Sequence, residues 1–288
     1  MGCAYHPEMR TLRAALVQLE ARDDVDANIA HAVTLAREAA VGSDLVILPE
    51  YVQYRGTPDG WRRSARPVPG PTTDSFAAVA REFGCWILAG TRAELSGDPL
   101  RPYNTAVVID PSGTLVARYR KVHLFDVAVD DGPQTTESSK VMPGDGLVAV
   151  NLAGTRLGLS ICYDLRFPEL YRALALAGAE VLAVPSDFSA RTGRDHWEVL
   201  LRARAIESGA WVLAAGSCGT GGEGAIPAWG HSMVVDPWGR VVAQAGDGEA
   251  IVRVELDLDR VTAVRRQIPA LANVRPDALP PARDVQVA

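Results

Sequence analysis

The sequence predicts an α/β protein, a four-layer α-β-β-α sandwich built from two pseudo-symmetric halves. Three observations carry this prediction. Apolar runs of strand length alternate with amphipathic stretches of helix length. The alternation starts afresh after Pro143. Segments of the second half also lie over segments of the first in the same order. "SDLVILPEY" matches "AEVLAVPSD" proline on proline, "EFGCWILAGT" matches "ESGAWVLAAG", and "VVIDPSGTLVARYR" matches "MVVDPWGRVVAQAG". Generic βαβ similarity could explain the first two matches. The third shares a D-P-x-G turn between two strands, a hairpin signal, and argues for duplication. Each half then forms one sheet with helices on one face, and the two bare faces bury most simply against each other.

The elements follow in order. The first half reads as strand Thr11–Leu19, helix Val25–Ala40, strand Asp44–Glu50, helix Thr73–Phe83, and strands Cys85–Thr91, Asn104–Asp110 and Thr114–Arg120. The second reads as strand Thr155–Tyr163, helix Phe167–Ala177, strand Glu180–Ser186, helix Asp195–Ser208, and strands Ala210–Gly216, His231–Asp236 and Arg240–Gly246. The expected unit is one domain over residues 10–277, with tails at 1–9 and 278–288. Strand tips of both halves meet at one edge, where a site can assemble. In the overlay Cys162 falls on Gln18, Glu50 on Ser186, and Lys121 opposite Asp247. The unusual side chains are therefore shared between the halves.

Composition narrows the function. The 288 residues are 48% hydrophobic and 22% charged, with a net charge of −6, so the chain is long enough for a full core and lacks the basic excess that nucleic acid or an anionic membrane would want. No apolar run approaches the ~18 residues of a membrane span. The start "MGCAYHPEMR" has no apolar signal core, and His6 stands where a myristoylation motif wants Ser or Thr. Cys3, Cys85, Cys162 and Cys218 form no C-x-x-C pair, which suits free thiols in a reducing cytoplasm.

"GLSICYDLRFPEL" puts Cys162 where a buried strand should end, against charged and aromatic residues. A thiolate, not a thiol, is the nucleophile, so such a cysteine needs a base or a cation nearby. Two other strand ends offer them: Glu50 in "ILPEY" and Lys121 in "RYRKVHLFD". A glutamate closing an apolar strand is costly unless it faces a polar cavity.

Three segments, "LVILPEY", "YRKVHLFD" and "GLSICYDLRFPELYR", resemble those that bear the Glu, Lys and Cys of the nitrilase superfamily of carbon–nitrogen hydrolases. The resemblance runs from about Thr11 to Asp277, and its family has the nitrilase-like four-layer sandwich. "DHWEVLLRARAIE" and "GHSMVVDPWG" narrow it towards the branch of deaminated-glutathione amidases and omega-amidases. The resemblance implies Glu50, Lys121 and Cys162 as catalytic residues, with Glu137 in "TTESSKVMPGD" as a second glutamate that positions substrate and lysine. It implies hydrolysis of a small carboxylate-bearing amide through a cysteine acyl-thioester, with no metal or organic cofactor. Tyr163, Arg166, Asp187 and Phe188 are the expected substrate contacts. A homodimer or higher homo-oligomer is expected, paired through the helices at 167–177 and 195–208. Relatives commonly have alanine at Asp187. Its charge would repel a carboxylate substrate unless Arg166, Arg191 or Arg194 offsets it; alternatively it caps the helix near Asp195 or pairs with Arg191 in solvent.

Other motifs have blander readings. "GTGGEG", Gly219–Gly224, fits G-x-G-x-x-G but is followed by Pro227 without helical periodicity, so it reads as a loop bordering the pocket. Ser160 lies inside a strand and lacks the last glycine of a G-x-S-x-G elbow. His6, His31, His123, His196 and His231 show no metal-ligand spacing. Cys85 reads as core, and Cys218 has no matching base. Arg166 either binds a substrate carboxylate or pairs with Asp164 or Glu169. "RARAIE" reads as a solvated or subunit-facing helix. A nitrile, carbamoyl or polyamine-type substrate keeps the same triad. A catalytically inactive binding scaffold would not need it.

Overall fold

The computed structural model describes residues 9–275. The expected tails, like Cys3 and His6, lie outside the described residues except for Met9. The chain opens with β1 (Thr11–Gln18), α1 (Val25–Ala40), β2 (Leu45–Ile47), α2 (Pro58–Ser64), α3 (Pro71–Phe83), β3 (Trp86–Glu94), β4 (Tyr103–Ile109) and β5 (Leu115–Arg120). A short hairpin follows, β6 (Asp126–Ala128) and β7 (Gln134–Thr136). The second half runs β8 (Ala149–Leu152), β9 (Thr155–Leu159), α4 (Pro168–Leu176), β10 (Val181–Ala183), α5 (Ala190–Ser208), β11 (Trp211–Ala214), β12 (Met233–Val235) and β13 (Val241–Gln244). β14 (Ala250–Asp257) and α6 (Asp259–Gln267) close the described chain.

The two halves repeat strand for strand. One sheet has the order β14-β1-β2-β3-β4-β5, the other β13-β12-β11-β10-β9-β8. β1-β2-β3 and β9-β10-β11 are the parallel cores, each extended by an antiparallel hairpin on one side. Each also has an antiparallel edge strand that the sequence pattern did not reveal, β14 on β1 and β8 on β9. β14 comes from the end of the chain and returns to the first sheet, so it ties the halves together.

Strand periodicity sorts the core into layers. Leu12, Ala14 and Leu16 of β1 and Leu45 and Ile47 of β2 share a buried cluster with Leu157, Leu159, Val181 and Ala183 of the opposite sheet. The alternate residues Ala15, Val17, Val46 and Leu48 pack against Ala32 and Ala36 of α1 and Phe76 and Ala80 of α3. On the outer face of the second sheet, Leu170 and Leu174 of α4 and Trp197 and Leu201 of α5 complete the fourth layer.

Two of the boundaries that differ from the sequence reading bear on the site. β9 stops at Leu159, and Cys162 opens a tight turn over Cys162–Arg166 with φ of +46°. A non-glycine residue in the left-handed region is held by its surroundings at a cost. Here Cys162 N donates to Pro185 O at 3.0 Å and Ile161 N to Asp164 Oδ2 at 2.8 Å. α5 starts at Ala190 rather than Asp195, because the Ser189 side chain accepts from Thr192 N and caps it. Asp187 therefore does not cap this helix.

Candidate active site

The cavity lies where the carboxyl ends of β2, β5, β9 and β10 converge. Glu50 follows β2, Lys121 follows β5, Cys162 follows β9 and Asp187 follows β10. Glu137 comes from the turn after the β6–β7 hairpin. All five line a cavity of about 240 Å³. The pseudo-symmetric counterpart of Cys162 supports nothing similar. There Gln18 is spent on Gly246 O at 2.8 Å, Gly248 O at 2.5 Å and Ser232 N at 2.7 Å.

At the centre stands Lys121, 2% exposed. Its Nζ donates to Glu50 Oε1 at 3.1 Å and to Glu137 Oε2 at 3.0 Å. Burial pulls the ammonium's pKa down, but Glu137 and Glu50 outweigh it and hold the lysine well above its usual range. Glu50 also accepts from Asn104 Nδ2 at 2.8 Å and from Asp187 N at 2.7 Å, while Ser217 Oγ donates to its backbone carbonyl at 2.7 Å. Glu137 accepts from Tyr51 OH at 2.9 Å and from Phe125 N at 2.5 Å. Burial pushes Glu50 up, aided by the Glu137 and Asp187 charges and opposed by Lys121. Burial, together with the neighbouring Glu50 to which it hydrogen-bonds, pushes the Cys162 thiol well up. Both shifts run the same way: the thiol holds its proton more tightly than a free cysteine, and ionised Glu50 is a better proton acceptor than an ordinary glutamate.

Asp164, fully buried, was a candidate partner for Arg166 and has another task. It accepts from Tyr119 OH at 2.7 Å, His123 Nδ1 at 2.7 Å, His123 N at 3.1 Å and Ile161 N at 2.8 Å. These bonds pin the Cys162 turn to β5 and to the segment carrying Lys121. Neither Asp164 nor Glu169 pairs with Arg166. Its guanidinium lies over the rings of Tyr163 and Phe188, 5.9 and 5.2 Å from their centroids, and donates to His196 Nδ1 at 3.2 Å. Tyr163, Arg166, Asp187 and Phe188 all line the cavity. Arg166 and Lys140 are lining cations with no carboxylate partner among the described residues.

Asp187 is matched, but not by Arg166, Arg191 or Arg194. Its partner is Arg55, whose Nε lies 3.0 Å from both carboxylate oxygens. Arg191 instead lies 3.7 Å from Asp195 on α5. Arg55, Tyr51, Trp61 and Lys140 are lining residues that sequence reasoning missed. Only the charge of Arg55 and Lys140 could have marked them, and nothing in the sequence aims it at the cavity. The "GTGGEG" loop does border the cavity, through its last residue Gly224, with Ala225 and Ile226 just after it. Its glycines permit close approach: with φ of +72° at Gly221, a Cβ there would sit 2.8 Å from Arg55 Nη1. Cys218 is buried and held up to about 12, chiefly by burial, and Cys85 up to about 11 for the same reason. Arg204 of "RARAIE" is buried rather than solvated, donating to Leu165 O at 3.0 Å. Among the described residues no group of three or more His, Cys, Asp or Glu is arranged to hold a metal ion.

Comparison with known proteins matches residues 13–266 to the carbon-nitrogen hydrolase family. The deaminated glutathione amidase of Bos taurus is 39% identical over 287 residues, covering 94% of this chain and 87% of that one. The omega-amidase of Homo sapiens is 38% identical over 270 residues, covering 93% and 97%. Among solved structures, the NitFhit protein of C. elegans superposes with a TM-score of 0.86 at 33% identity, covering 94% of this chain and 67% of that one. A mutant amidase from Nesterenkonia sp. AN1, with the acetamide moiety of fluoroacetamide added covalently at its active-site cysteine, gives 0.74 at 26% identity, covering 95% and 100%.

Proposed function

The chain belongs to the carbon–nitrogen hydrolase family, an enzyme of amide C–N bonds, and from that premise we propose that Cys162, Glu50 and Lys121 hydrolyse a small carboxylate-bearing amide. The observation that carries this is Lys121 Nζ held about 3 Å from each of two buried carboxylates in the cavity that also holds Cys162. Glu50 takes the thiol proton, and the thiolate attacks the amide carbonyl carbon. Lys121 and the Tyr163 backbone N–H stabilise the oxyanion. The tetrahedral species collapses as protonated Glu50 gives its proton to the departing nitrogen. An acyl-thioester remains. Glu50 then deprotonates a water, which attacks the thioester and releases the acid, and the thiol regains its proton. Glu137 keeps Lys121 placed and charged throughout.

Arg166 reads the substrate carboxylate, with Phe188 and Tyr163 packing beside it. Its freedom from any acidic partner among the described residues supports this role. The names of two relatives, deaminated glutathione amidase and omega-amidase, favour the same substrate class. Ammonia or amine release from a panel of amides tests it. Monoamides of dicarboxylic acids should be cleaved in preference to neutral amides; no release from any amide, or preference for neutral ones, overturns the reading.

Residues 10–277 act as one domain, a reading supported by the core shared between the two sheets. The enzyme works as a homo-oligomer through α4 and α5. Trp197 and Leu201 are spent inside the protomer, but Val199 and Ile206 stand 66% and 53% exposed seven residues apart on α5, a face suited to a second copy. Light scattering that gives only the protomer mass of 30.7 kDa would refute it. Free buried Cys85, Cys162 and Cys218 suit a reducing cytoplasm.

A further inference from the structure

Arg55 is 3% exposed and comes from the first half, on the segment that follows Glu50. Its side chain faces the second half entirely. Nε contacts the Asp187 carboxylate at 3.0 Å, Nη1 donates to Cys218 O and Gly219 O at 3.3 Å each, and Nη2 donates to Ile226 O. The Arg55 carbonyl in turn accepts from Gly222 N at 3.0 Å. One guanidinium therefore gathers three carbonyls in and flanking the glycine-rich loop and one carboxylate, and both Arg55 and Asp187 line the cavity. Carbonyls alone would hold an arginine by dipoles. Asp187 adds a third carboxylate to a cavity that already contains Glu50 and Glu137.

We infer that Arg55 and Asp187 form a specificity-determining pair, in which Arg55 cancels the Asp187 charge so that the cavity admits an anionic amide. This rests on the proposed carboxylate-bearing substrate. The pair spans the two halves, so the loop wall and the charge balance are set together. An unmatched Asp187 would oppose the substrate carboxylate, and an unmatched Arg55 would attract it. At an effective dielectric of about 20, one unit charge roughly 10 Å from the substrate carboxylate changes its binding about tenfold.

The test is the ratio of kcat/KM for the monoamide of a four-carbon dicarboxylic acid to that for the neutral four-carbon amide. Arg55→Met should lower the ratio about tenfold, and Asp187→Asn should raise it about tenfold. The double variant Arg55→Met/Asp187→Asn should return it to within about threefold of wild type, since no unmatched charge remains. A merely structural role would depress both substrates together and leave the ratio unmoved. Arg55→Met buries an unpaired carboxylate and could unfold; Asp187→Asn and the double variant, neither of which does so, then decide the matter. Single variants that shift the ratio in the same direction, or not at all, overturn the inference. A wild-type ratio at or below one counts against the substrate reading instead, while the opposed shifts still decide the charge balance.

Discussion

Replacing Lys121 with methionine isolates what the central ammonium does. Its Nζ is 3.1 Å from Glu50 and 3.0 Å from Glu137, so the two contacted oxygens are at most ~6 Å apart. Glu137 already opposes Glu50 in the wild type, and what the variant loses is the attraction of the ammonium that holds Glu50 down. At 3.1 Å and an effective dielectric of about 20 that attraction is about 5 kcal/mol, or about four pH units. Glu50 is already raised by burial and by the Glu137 and Asp187 charges. The proposed mechanism needs Glu50 ionised to accept the thiol proton, so activity is lost as pH falls through its pKa. Lys121→Met should therefore move the acid limb of kcat/KM about four units to higher pH. Loss of the oxyanion donor should separately lower kcat at the new optimum by about 10²–10³. The assay is ammonia release against pH, with circular dichroism to confirm the fold. A variant whose limb stays in place, or whose KM alone changes, would refute the reasoning.

Cys162→Ala should abolish turnover while retaining the fold, and intact-protein mass spectrometry during turnover should find an acyl adduct on wild type alone; an active alanine variant excludes the thioester. In wild type the acid limb should lie above the ordinary glutamate value of ~4.3 because Glu50 is raised, and no alkaline limb from Lys121 should appear below ~10.4 because its neighbouring carboxylates hold it up. A limb at or below pH 4 contradicts that environment for Glu50. Asp164→Asn should cost about 3 kcal/mol in urea unfolding, since an amide cannot accept all four bonds that the carboxylate accepts, and should lower kcat because the Cys162 turn loses its anchor. Stability and kcat equal to wild type would show that the turn is held elsewhere.

Much of the architecture is local and was legible. Strand and helix periods, the shared D-P-x-G turns and the duplicated order predict two sheets of matching topology, because side-chain alternation already states which face each strand must bury. Glu50 and Cys162 stood out for the same reason: each carries costly chemistry at the end of an apolar run, and only a cavity accommodates it. The resemblance added Glu137, whose own neighbourhood is an undistinguished polar stretch. The edge strands β8 and β14 were not legible, since an edge is defined by its neighbour and β14 finds β1 from the far end of the chain. Nor were the pairings that tune the site. Arg55 meets Asp187 across 132 residues of chain, Tyr51 meets Glu137 across 86, and Tyr119 meets Asp164 across 45. Arg166, Arg191 and Arg194 were nearer to Asp187 in sequence, yet the tertiary structure brings none of them to it as its ion-pair partner. Burial is what selects such partners: a charge taken out of water must be matched by whichever opposite charge the packing of distant segments brings within 3–4 Å, and that packing has no period for a sequence to display.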